Sequence, residues 1–81
     1  MQILQSVGGR LMLARKNKGW NQLEFLKQLK EQKDIEITPA HWSRVEGMKR
    51  GVSVELLIAA ADLLDVSLDY LVHGDGVIEY A

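Results

Sequence analysis

The chain has 81 residues, no cysteine, and ten basic against eleven acidic side chains for a formal net charge of −1. The absence of cysteine excludes a disulfide-stabilised fold, thiol catalysis and thiolate metal sites. The longest apolar run, residues 56–61, is far shorter than the roughly 20 residues that a bilayer requires, so neither a membrane span nor a cleavable signal is expected. These figures predict one small cytoplasmic domain with a single core.

All basic side chains stand in the first part of the chain. Residues 1–50 hold ten basic and five acidic side chains (net +5), whereas residues 51–81 hold six acidic side chains and neither Lys nor Arg (net −6). Such asymmetry suggests contact with nucleic acid, although chance in a short chain also explains it. The net charge of the whole chain therefore does not exclude a nucleic-acid partner.

Five short helices are expected, each preceded by a residue whose side-chain oxygen can accept a hydrogen bond from the first turn. The expected N-caps are Ser6, Asn21, Thr38, Ser53 and Ser67. The helices are expected to end at or near Asn17, Lys33, Gly47, Leu64 and Gly74. This pattern predicts an all-α domain with its core in residues 7–74.

Two segments are less regular. Residues 30–37 fit an extension of the second helix followed by a loop that turns Ile35 and Ile37 inward, but the pattern does not place the break. The tail, residues 75–81, begins with a turn signal and then alternates apolar positions. It fits either a terminal strand, which would serve dimerisation, or a disordered end.

Three motifs, in this order and at this spacing, carry a family resemblance. They are Asn-Gln at 21–22, Ser-Arg-Val-Glu at 43–46, and Val-Ser-Leu-Asp-Tyr-Leu at 66–71. With them, residues 7–74 resemble the helix-turn-helix domain of the phage repressor and Cro type, the XRE family. The resemblance implies a lambda-repressor-like five-helix fold whose third helix enters the major groove of double-stranded DNA.

The resemblance also implies which residues contact DNA. Gln22 matches the position that anchors a phosphate at the start of the second helix. Arg44 matches a groove-facing position, where a guanidinium can donate two parallel hydrogen bonds to guanine. The remaining positions in and after the third helix that it assigns to the DNA interface are Thr38, Pro39, Ala40, His41, Ser43, Lys49 and Arg50.

A structural pair and two departures follow from the same comparison. Arg15 and Glu46 match a pair that bridges the first helix to the end of the third and holds the reading helix at a fixed angle. Eight residues lie between Leu29 and Thr38 where the family has two, and Leu26 stands where a tight turn requires a small residue. Both departures predict an extended turn and a wider separation of the second and third helices.

No constellation for catalysis or metal binding is found. Ser43 and Ser53 have no base partner for nucleophilic chemistry, and His41 and His73 have no further ligand at metal-binding spacing. The chain is therefore expected to be neither an enzyme nor dependent on a cofactor. Trp42 is expected in the core rather than on a surface that stacks bases.

The fourth helix is apolar on two sides, so it requires two surfaces to bury against. One surface is the core of the domain, and a second subunit is expected to supply the other, helped by the tail. The residues predicted to form this homodimer interface are Leu56, Ala60, Leu63, Val77, Ile78 and Tyr80.

The expected function is sequence-specific binding of double-stranded DNA by a homodimer at a palindromic operator, as a transcriptional repressor. The same sequence features fit three kinds of regulator: a phage repressor, an antitoxin that represses its own operon, and a restriction-modification controller. A protein-interaction adaptor that retains the fold without binding DNA is the alternative from another class.

Overall fold

The computed structural model describes residues 7–47 and 51–74, and all regular structure within these residues is helical. The helices are α1 (Val7–Asn17), α2 (Gln22–Lys33), α3 (Pro39–Glu46), α4 (Val54–Leu64) and α5 (Leu68–His73). The predicted all-α class is confirmed. Among the described helices, none has the length and apolar character needed to cross a membrane.

Side-chain caps explain where the helices begin. Asn21 and Glu24 form a reciprocal capping box at the start of α2, with both N···O distances at 2.8 Å. The side-chain oxygen of Thr38 accepts a 3.1 Å hydrogen bond from the backbone N–H of His41, and Pro39 occupies the first helical position of α3. Ser53 and Ser67 cap α4 and α5 in the same way. The predicted cap at Ser6 lies outside the described residues.

The second helix ends at Lys33, as expected, although the sequence pattern did not place the break within residues 30–37. Asp34 adopts the left-handed conformation (φ 58°) that ends the helix. The backbone N–H of Asp34 donates to the carbonyl of Lys30 at 3.1 Å, which satisfies one of the helix's last free carbonyls. Residues 34–38 then join α2 to α3, and Ile35 and Ile37 turn inward against the core.

One apolar core receives side chains from all five helices. Trp42 of α3 is fully buried, and its ring centroid lies 4.7 Å from that of Phe25 in α2. Trp20, in the link between α1 and α2, is half-buried 6.4 Å from the same Phe25 ring. Trp42 is therefore a core residue, as its position predicted, and its ring is closed to a stacked base.

The apolar stripe of α4 that was predicted to meet a second subunit is buried within this one chain, which corrects part of the dimer prediction. Leu56, Ala60 and Leu63 are only 5%, 0% and 7% exposed because α4 packs against α1, α2 and α5 together. They are not available to another subunit. The tail residues predicted to join them, Val77, Ile78 and Tyr80, lie outside the described residues.

Candidate functional site

The carboxylate of Glu46, in the last turn of α3, receives hydrogen bonds from three other side chains. Arg15 of α1 donates twice, from Nε to Oε2 at 2.6 Å and from Nη2 to Oε1 at 3.0 Å. Gln22 Nε2 donates to Oε1 at 2.9 Å, and Trp42 Nε1 donates to Oε2 at 2.6 Å. This cluster, which we call the Glu46 hub, joins α1, α2 and α3 at one point.

The structure thus brings together Arg15 and Glu46, the pair that the family resemblance implies. Their side chains are 7% and 3% exposed, so the ion pair is shielded from water. The remaining nitrogen of the guanidinium, Nη1, donates to the backbone carbonyl of Trp20 at 2.8 Å. Arg15 therefore also fixes the link between α1 and α2.

The hub keeps the Glu46 carboxylate ionised. Burial acts to raise the pKa of Glu46, but the hydrogen bonds from Arg15, Gln22 and Trp42, together with the positive charge of Arg15, outweigh burial. The pKa of Glu46 lies below its ordinary value as a result. Desolvation offsets much of the attraction within a buried ion pair of this kind, but removing one partner leaves a buried charge unpaired, which is strongly destabilising.

Gln22, which the family resemblance assigns to a phosphate, contacts the Glu46 hub in the structure. Its side-chain amide nitrogen is bound to Glu46 rather than directed to solvent, although the residue as a whole is half-buried. The side chain consequently braces the start of α2 against the end of α3.

The outer face of α3 carries three of the residues assigned to the DNA interface. Ala40, Ser43 and Arg44 are exposed, and together with Gly47 they line a surface depression of ≈ 460 Å³. No hydrogen bond or ion pair joins the Arg44 guanidinium to another described residue. The opposite face of the helix holds Trp42, Val45 and Glu46, all buried.

The other assigned residues fall into three groups. Thr38 and Pro39 are exposed and begin α3, where Thr38 serves as the N-cap. His41 is half-buried and lies on a different side of the helix, against the segment that joins α2 to α3. Lys49 and Arg50 lie outside the described residues. The structure therefore groups Ala40, Ser43 and Arg44 with one another and separates His41 from them.

The charge distribution is less simple than the count along the chain indicates. Arg10 and Arg15 are each 6% exposed and act inside the fold. Lys30 lies near Asp34 and Glu36, and Lys33 pairs with Asp62 of α4. The basic side chains that are exposed and outside these ion pairs, among described residues, are Lys16, Lys18, Lys27 and Arg44.

Arg10 is a structural residue that the sequence analysis overlooked. Its Nε donates to the carbonyl of Leu71 at 2.8 Å and its Nη2 to the carbonyl of Val72 at 2.9 Å, which satisfies the C-terminal end of α5. A signal was present in the sequence, because Arg10 shares the inward face of α1 with Val7 and Ala14 at helical spacing. A cation on an inward face indicates a buried acceptor.

We expect the Glu46 hub to make folding sensitive to acid. Because the pKa of Glu46 is lowered in the folded chain, its contribution to the free energy of unfolding is complete above its unfolded pKa of about 4.5. The contribution is lost as the pH falls through the lower folded value. Urea denaturation of the wild type and of Glu46→Gln, from neutral to strongly acidic pH, measures it.

Glu46→Gln is expected to cost about 3 kcal/mol at neutral pH, because it leaves Arg15 buried without its counter-charge. The difference in the free energy of unfolding between the wild type and Glu46→Gln should become smaller as the pH falls below about 4.5. The control is Glu31→Gln, which removes an exposed carboxylate from α2 and should change stability by less than about 0.5 kcal/mol. A difference that stays constant down to the lowest pH would contradict the assignment.

Gln22→Ala tests the bracing contact alone. The variant loses a hydrogen bond to a charged acceptor, so we expect the free energy of unfolding to fall by about 1–2 kcal/mol in urea denaturation. Gln32→Ala, which removes the same side chain from an exposed position of the same helix, is the matched control. Equal stability of the two variants would show that Gln22 does not brace α2.

Comparison of the chain with protein-family models, with curated proteins and with solved structures found no match.

Proposed function

We propose that the chain binds double-stranded DNA through the outer face of α3, as a repressor-type transcriptional regulator. The observation that carries the proposal is Arg44, an exposed guanidinium with no partner among the described residues, beside Ser43 on the free side of a helix. A guanidinium in that setting can donate two parallel hydrogen bonds to O6 and N7 of guanine in the major groove. Ser43 can donate to or accept from a base edge, or donate to a phosphate oxygen.

The dimensions of α3 suit this role. An α-helix with its side chains is about 10–12 Å across, which fits the major groove of about 12 Å, and the eight residues of α3 form about two turns that can lie in it. Ala40 lies on the same exposed face as Arg44 and offers a small apolar surface for a thymine methyl group. The set of direct base contacts is small, which leaves room for recognition through DNA shape.

Rigid placement is the second support for the proposal. Specific recognition requires the reading side chains to be held within a fraction of an ångström by supporting contacts. The Glu46 hub supplies such contacts, since it fixes the C-terminal end of α3 to both α1 and α2. The exposed Lys16, Lys18 and Lys27 add positive charge that would attract the phosphate backbone.

A homodimer on a palindromic operator remains part of the proposal, with a revised surface. Val54 and Ile58 of α4 and Leu68 and Val72 of α5 are between 41% and 71% exposed. These side chains, rather than Leu56, Ala60 and Leu63, are the ones on α4 and α5 that a second subunit would cover. Burying these apolar side chains between two subunits would stabilise the dimer.

Salt dependence distinguishes DNA binding from the protein-interaction alternative. We expect binding to mixed genomic DNA, followed by fluorescence anisotropy, to weaken linearly on a log–log plot with a slope of about −0.9 for each phosphate neutralised. Absence of salt-dependent binding at low ionic strength would favour an adaptor that retains the fold without binding DNA.

Arg44→Ala tests the proposed base contact. Against an operator selected from a random pool, the variant should lose about 1–3 kcal/mol of affinity and its preference at one base pair. Lys27→Ala removes one exposed positive charge from α2 and should affect all sequences alike. If both variants retain the same selected consensus as the wild type, Arg44 is not the base-reading residue.

A further inference from the structure

Two buried arginines on α1 hold the C-terminal ends of two other helices. Arg10 is 6% exposed, and its Nε and Nη2 donate to the backbone carbonyls of Leu71 and Val72 in α5 at 2.8 and 2.9 Å. Arg15, further along α1, is also 6% exposed and binds Glu46 in the last turn of α3. A single short helix therefore holds the end of α5 and the end of α3 in fixed positions relative to each other.

The orientation of α5 depends on Arg10 because the helix is short. It has six residues, fewer than two turns, and of these residues, all of which the structure describes, only Leu71 is fully buried. Tyr70 is half-buried against the core, so apolar packing holds one side of the helix. The last carbonyls of a helix have no partner within it, and a planar guanidinium can satisfy two of them with donors in a fixed geometry. Arg10 thereby restricts rotation of α5 about Leu71.

The exposed side of α5 is part of the surface assigned above to a second subunit. Leu68 and Val72 are 41% and 45% exposed, and the carbonyl that accepts from Arg10 Nη2 belongs to Val72 itself. The outer face of α3 carries Arg44. In a symmetric dimer that associates through α5, the distance between the two Arg44 side chains depends on the angle between α5 and α3 within each subunit.

A small rotation of α5 is enough to change that distance by about one base-pair step. Because α1 packs against both α3 and α5, we take about one helix diameter, 10–12 Å, as the lever between them. A rotation of about 15° over this lever displaces its far end by about 3 Å, and consecutive base pairs are about 3.4 Å apart. DNA fixes the spacing of two half-sites, so a displacement of this size weakens simultaneous contact with both of them.

We propose that Arg10 is a positioning residue that sets the half-site spacing of the operator, acting through α5 and without contacting DNA. The inference rests on the proposed function, a dimer that reads DNA with α3 and associates through the exposed side chains of α4 and α5. Arg44 selects a base within each half-site, and Arg10 selects the distance between the half-sites. Arg10→Lys keeps the positive charge but lacks the planar fork, so it cannot hold both carbonyls in the same geometry.

Binding of the full chain to a matched set of duplexes tests the role of Arg10. The set contains the operator that the wild type selects from a random pool, a duplex with a single half-site, and operators whose half-sites are one or two base pairs closer together or further apart. The wild type should favour the selected spacing by about tenfold over its neighbours. Arg10→Lys and Arg10→Gln should bind the single half-site within about twofold of the wild type, whereas their preference for the selected spacing should fall to about threefold or less.

Leu29→Val is the control, because it removes apolar volume from the core side of α2 and leaves both arginines in place. Each variant is measured at a temperature at which its circular dichroism spectrum shows that it is folded. The inference alone is overturned if both Arg10 variants keep the spacing preference, if they lose affinity equally for the half-site and the operator, or if Leu29→Val changes the preference as much. A wild type that binds no DNA, or that binds operators of every spacing alike, would overturn the proposed function or its dimer together with the inference.

Discussion

The position of α3 depends on one buried carboxylate. Glu46 accepts hydrogen bonds from Arg15, Gln22 and Trp42, so elements that are far apart in the chain meet at a single charge. Removing any one donor leaves part of that charge unsatisfied in a shielded environment, which is costly. The value of the hub is therefore geometric: it specifies one arrangement of α1, α2 and α3 and penalises the alternatives.

The two faces of α3 therefore differ: the inner face packs against the rest of the domain, and the outer face is exposed. Trp42, Val45 and Glu46 are buried, and their contacts hold the helix in place. Ser43 and Arg44 are exposed and make none of these contacts, so their polar groups can contact a partner without breaking the contacts that hold the helix. An eight-residue helix is marginal in isolation, so the inner contacts are also what keeps the outer face helical.

Local chemistry made most of the fold predictable, and tertiary contacts explain what was missed. A capping side chain bonds to a backbone N–H only a few residues further along the chain, so the caps at Asn21 and Thr38 could be predicted from the sequence. The two apolar stripes of α4 indicated that the helix packs against two surfaces, but periodicity does not show whether the same chain or a second subunit supplies them. In the structure, α1, α2 and α5 of the same chain bury Leu56 and Ala60. The use of Gln22 depends on Glu46, 24 residues away, which no local pattern encodes.

The link between α2 and α3, residues 34–38, begins at the opposite end of α2 from the Glu46 hub. Contacts between the two helices run in opposite directions along the chain, with Gln22 against Glu46 and Phe25 against Trp42 one turn further in. The first turn of α2 is thus fixed to the last turn of α3 whatever the length of the link. Residues 34–38 connect the far end of α2 to the start of α3, and Ile35 and Ile37 of this link pack against the core. The contacts that orient the outer face of α3 therefore lie at the end of α2 that is remote from the link.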